Sequence, residues 1–411
     1  MVVARHLILS LAVFVALASS DGFADGISTG HGTQIISLPK HVKSIAWNAD
    51  QTRLAIIVSD DYVPFGGGAL YIYDLVQGHL SDPPDTRPPV TRGPATFDAT
   101  GRYVIVISPP ETSGSSRGSN QQTLDENRDF VFALFPTETN DGIRYMRDPT
   151  IDAPAYQSPQ NKLIPQVAAI SLSSDGAELA SVMYHSGAVA LYDTHSWKPK
   201  GHLGPLTSIG DSTVDIAFLD TKNGILIGKG PTQVATWDIQ TNKQICIFQP
   251  FRPDAATAMT YNPVAGTVIA GGGGMPGADD PFLEQVMRTS GGKLPFADKG
   301  MRYTPVRAWN PRTGQEVMAY TGPNVRVQSL AVSPDGHYLA ATQGGGLLAA
   351  NLLLWDARTG QLLGHIDFGP GVEVRASAFS PDSQRLAYSV DATVQIVDIG
   401  PTGFGKQEKT P

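Results

Sequence analysis

Few residues in this 411-residue chain stand at spacings that could do chemistry. The run Gly271-Gly272-Gly273-Gly274 invites reading as a phosphate-cradling loop. It lacks the Lys and Ser/Thr that end such a loop, and the strand-to-helix setting that aims backbone amides at a phosphate. Gly66-Gly67-Gly68 and Gly344-Gly345-Gly346 fail for the same reason. Tyr184-His185-Ser186-Gly187 sets a Ser beside a His, but as a hairpin turn without the strained elbow a nucleophile needs. A metal needs several ligands converging from rigid positions. The nine histidines are scattered, with His31, His41, His185, His195, His202 and His337 in different segments and none in a paired motif. Asp175, Asp335 and Asp382 fall in tight turns, where Asp bonds its own backbone. The first strands are mostly apolar or small, with Asp215 and Arg375 as polar exceptions. Paired carboxylates of the glycosidase kind depend on spatial neighbours that a linear chain does not display. The reading is therefore no catalytic residue, no metal ligand and no cofactor site.

Cys246 is the one cysteine, so no internal disulfide forms. It lies in the alternating stretch QICIF and reads as a small buried hydrophobe. No Cys-x-x-Cys-His occurs, which excludes ordinary covalent haem attachment.

What must position any site is a turn-rich framework. Gly and Pro number 43 and 31, and only 17% of residues are charged. A net charge of -8 without a Lys/Arg cluster argues against nucleic-acid binding. The N-terminus reads MVVARHLILSLAVFVALASSDGFADG: Arg5 and His6, an apolar run from Leu7 to Ala18, then small residues. This is the pattern of a secretory signal peptide over 1–24, too short for a comfortable span, so no stable membrane span is expected after cleavage. No Cys follows the run, which argues against lipidation. The expected location is periplasmic or secreted.

A repeat dominates the rest. The last third runs VQSLAVSPDGHYLAATQ, NLLLWDARTGQLLGHIDF, VRASAFSPDSQRLAYSV and ATVQIVDIG. Each unit is a short apolar strand, a tight turn, a second strand, a third ending in an aromatic or Val plus Asp, and a turn into a fourth. Weaker copies upstream, such as VKSIAWNADQTRLAIIVS with ALYIYDLVQG and VAAISLSSDGAELASVM with AVALYDTHSW, bring the count to seven units.

These units resemble the WD40-type β-propeller family, over residues 32–400. Trp-Asp itself stands only at Trp237-Asp238 and Trp355-Asp356. Tyr73-Asp74, Tyr192-Asp193, Val397-Asp398 and Trp309-Asn310 take its place elsewhere, and the family's Gly-His element is largely absent. The resemblance implies an all-β, seven-bladed β-propeller of four-stranded antiparallel blades. The lone strand GTQIISLP would complete the last blade and close the ring, with 401–411 left as a flexible tail.

Excess length beyond the repeat marks insertions, the largest at 109–129 and 271–303. They leave from the same end of the propeller as the links between units, and long connections on a rigid scaffold are where binding usually resides. DPFLEQVMR in the second insertion reads as a short helix capped by Asp280, so Met275, Phe282, Leu283 and Phe296 are the expected partner-binding residues. The leading function is a non-catalytic exported scaffold for a protein partner in the cell envelope. The alternative is a channel-centred hydrolase, lactonase-like and Ca-dependent, or another small-ligand propeller. Partner identity and oligomeric state are not encoded in any motif.

Overall fold

The computed structural model describes residues 27–29, 33–59, 68–81, 94–107, 130–138, 142–147, 167–183, 189–203, 215–220, 225–229, 234–248, 256–272, 306–320, 326–345, 348–400 and 403–404. The expected signal peptide and the greater part of both large insertions lie outside them.

Six sheets are four-stranded antiparallel blades whose strands follow chain order. Blade 1 comprises Val42–Trp47, Arg53–Val58, Ala69–Asp74 and His79–Leu80. Blade 2 comprises Ala95–Phe97, Tyr103–Ile107, Phe130–Pro136 and Arg144–Arg147. Blade 3 holds Val167–Leu172, Glu178–Met183, Val189–Asp193 and Lys198–Leu203. Blade 4 holds Asp215–Asp220, Ile225–Lys229, Val234–Asp238 and Lys243–Phe248. Blade 5 is Ala258–Asn262, Thr267–Gly271, Val306–Trp309 and Glu316–Tyr320. Blade 6 is Val327–Val332, Tyr338–Gly345, Leu348–Asp356 and Leu362–Pro370.

The remaining sheet differs. Ser377–Phe379, Arg385–Val390 and Thr393–Gly400 are joined by Thr33–Ser37 and Ile27–Thr29 from the N-terminus and by Gly403–Phe404 from the C-terminus. This terminal sheet is six-stranded. Residues Gln34 to Ser37 pair with Ile396 to Thr393, and Phe404 and Gly403 pair with Ile399 and Gly400.

The expectation of seven like four-stranded blades in a closed ring is thus corrected. Among the described residues six four-stranded blades form, and the composite sheet built from both chain ends is not a seventh blade of that kind. Nor is the ring sealed by strand ladders: among the described residues no sheet hydrogen-bonds as a sheet to the next. The physical reason is geometric: an unpaired edge recruits whatever chain lies nearby, and here both ends of the chain lie near Thr393–Gly400.

Side-chain packing holds the sheets together. Each apolar cluster joins two neighbours: Val42, Tyr73 and Ile396 link blade 1 to the terminal sheet, Ala341, Trp355 and Ile269 link blades 5 and 6. The middle strands are sandwiched on both faces, which is why RLAIIV and YVIVI are continuous apolar runs instead of alternating ones. The outer strand KQICIF is half-exposed, and Cys246 within it is half-buried near Gly314, with burial raising its thiol pKa.

Candidate functional site

The turns at one end of the ring share a side-chain device. Between first and second strands, Asn48, Asp98, Ser173, Ser333 and Ser380 each accept the N–H five residues on, at 2.8 to 2.9 Å. Asp50, Asp175, Asp335 and Asp382 each accept an N–H two residues on. The turns between third and fourth strands are closed by Asp74, Asp193, Asp238, Asn310 and Asp356, each accepting backbone N–H groups of its own turn. The Asp of Trp-Asp is therefore a turn cap, and its Trp is a wedge between blades: Trp355 is fully buried with its ring 5.8 Å from that of Tyr320. These carboxylates are occupied in holding backbone.

The opposite end is built differently. Antiparallel order sends every second-to-third-strand connection and every link between sheets out of that end, including the segments 108–129 and 273–305. First strands are bulged as they leave it, between Val42 and Ser44, Val167 and Ala169, and Val327 and Ser329. A bulge leaves one residue outside the ladder and re-aims its side chain. At that position stand Lys43 and Gln328. Single side-chain hydrogen bonds tie first strands to their neighbours: Ala95 N to Ser44 Oγ, Thr257 Oγ1 to Val327 O, Trp47 Nε1 to Ala378 O.

Polar groups gather where blade 1 meets the terminal sheet. The Arg375 guanidinium donates to both oxygens of Glu373, at 2.8 Å each. Lys43 Nζ lies 3.9 Å and His41 Nδ1 3.6 Å from Glu373 Oε2. The Glu373 N–H donates to Asp391 Oδ1. Lys43, nearly buried, comes from blade 1, while Glu373 and Arg375 precede the first strand of the terminal sheet. The guanidinium engages both carboxylate oxygens within one segment, and the longer Lys43 and His41 contacts carry the cluster across the seam as a charge clasp. A second polar feature is Gln343, wholly buried at the same end of blade 6, whose amide has no hydrogen-bond partner among the described residues.

Among the described residues, no group of three or more His, Cys, Asp or Glu could hold a metal ion. The expected partner-binding residues Met275, Phe282, Leu283 and Phe296 lie outside the described residues. Arg375 takes its place in the clasp. His41 was read in the sequence only as one of the scattered histidines, and Lys43 and Glu373 were not singled out; the trace that could have found Lys43 is a Lys in VKSIAW at the place Arg holds in VRASAF.

The chain is similar to a chain in the crystal structure of a mitotic checkpoint complex, at 16% identity, with a TM-score of 0.60, covering 96% of this chain and 99% of that one. At such identity the likeness shows the fold alone, a β-propeller. No family model and no curated protein matches the chain. No helix among the described residues is long and apolar enough to cross a membrane.

Proposed function

We propose that this propeller is a non-catalytic scaffold that holds another protein through the end from which its long connections leave. The observation that carries this reading is the asymmetry of the two ends. One end consists of short turns whose polar side chains are spent on their own backbone. The other carries the inter-sheet links and the connections between second and third strands, hung from a rigid ring. Long connections on a rigid frame can vary in sequence without disturbing the core, the usual location of recognition surfaces. The absence of a metal-holding group among the described residues gives the hydrolase reading nothing specific to stand on.

The finer reading places the protein in the periplasm or outside the cell, with an envelope partner, on the strength of its N-terminal pattern. Within the long connection of blade 5, Met275, Phe282, Leu283 and Phe296 are the proposed apolar contacts. Phe282→Ala combined with Phe296→Ala should weaken partner binding at least tenfold, with the melting temperature unchanged, if these aromatics anchor the interface as such residues do. Unchanged affinity in the double variant would remove this assignment.

A further inference from the structure

The outer edge of the strand Thr393–Gly400 is divided between the two ends of the chain. Leu38 N donates to Ala392 O, and Ile399 N donates to Gln384 O on the opposite side. Since successive residues face opposite edges, Gly400 faces the edge that Thr33–Ser37 occupies further along. Gly403, three residues on, pairs with Gly400 there and brings Phe404 opposite Ile399.

Phe404 does not stop at its own sheet. It packs in the apolar cluster shared by blade 6 and the terminal sheet, with Ile366, Phe368 and Ile399 around the buried Leu352, Leu354 and Tyr388. Its approach to blade 6 is close. A Cβ added to Gly364, on the outer strand of that blade, would lie 3.1 Å from Phe404 Cδ2 and 3.8 Å from its backbone N. Gly364 is therefore the opening that admits the ring. Two further contacts cross the same seam: Tyr338 Oη donates to Gly400 O at 3.3 Å, and the Phe368 and Tyr388 rings lie 6.1 Å apart.

We propose that the C-terminal segment is a strap, anchored by Phe404 in the Gly364 notch, that fastens blade 6 to the terminal sheet and whose release loosens that seam. The logic follows from the architecture. Among the described residues no ladder joins the two sheets and the contacts across their outer parts run through side chains, so a tail residue bonded to one sheet and packed on the other is a removable staple. This stands apart from the scaffold reading, since a strap operates whether or not the far end binds a partner.

The test is hydrogen–deuterium exchange on the full chain, on Phe404→Ala and on Gly364→Ala, with thermal unfolding alongside. Gly364→Ala keeps every tail residue and only fills the notch, so it separates loss of docking from loss of the aromatic. The proposal expects amides of Leu362–Pro370 and Thr393–Gly400 to exchange at least several-fold faster in both variants, with blades 2 to 4 unchanged. Exchange unaltered in both variants, or raised evenly around the ring, would overturn it.

Discussion

At the scale of single residues, the structure turns on small polar groups in tight turns. Ser333 is wholly buried; its hydroxyl accepts the Tyr338 N–H at 2.8 Å and donates to Asp335. Ser333→Ala leaves that N–H without a partner, and we expect a loss of about 1–3 kcal/mol in denaturant unfolding. The turn carboxylates add a pH signature. Thr52, through its hydroxyl and N–H, holds the Asp50 carboxyl below its ordinary value, and the Ser173 hydroxyl with the Ala177 N–H does the same for Asp175. Because these folded-state values are depressed, the stability they contribute is present above the unfolded value of 3.8 and is lost as pH falls through the lower folded values. The melting temperature should therefore change little on mild acidification and fall on going below pH 3.8, a window that thermal scans at graded pH would show. Ser-Pro-Asp was legible in the sequence as a turn because its chemistry is local. The Glu373–Arg375 clasp with Lys43 was not, since its members are some 330 residues apart and meet only when the ring forms.

At the scale of elements, the middle strands announce themselves as apolar runs bounded by turns, since each is covered on both faces. The terminal sheet is where sequence reading fell short. GTQIISLP carries enough apolar pattern to be seen as a strand, but Gly403–Phe404 is a two-residue strand with no periodicity to read. Its existence depends on the edge it meets. The two ends should nevertheless matter unequally. Thr33–Ser37 brings the buried Ile36 and the Gln34 donor to the Tyr73 hydroxyl, along with four paired residues. Deleting residues 32–38 should cost upwards of about 2–5 kcal/mol, the range for losing one buried aliphatic side chain. Deleting residues 402–411 should cost less. Equal loss of stability in the two truncations, measured by denaturant midpoint, would contradict this ranking.

At the scale of the whole molecule, the repeat foretold an all-β ring, and the departure from it came at the seam. Counting repeat units treats each as self-contained, whereas the last sheet is assembled from both ends of the chain and exceeds the repeat's four strands. Function was less legible still. The proposed scaffold rests on turn carboxylates spent on backbone at one end, and the residues proposed to bind are drawn from a connection at the other. The most direct measurement is capture by the tagged protein from envelope extract, with and without residues 273–303, followed by mass spectrometry of bound protein and analysis of bound metal. The scaffold account predicts a stoichiometric protein partner that is lost when the connection is shortened while the ring stays folded. A folded protein that captures no partner and carries one equivalent of calcium would contradict it and direct attention to the channel.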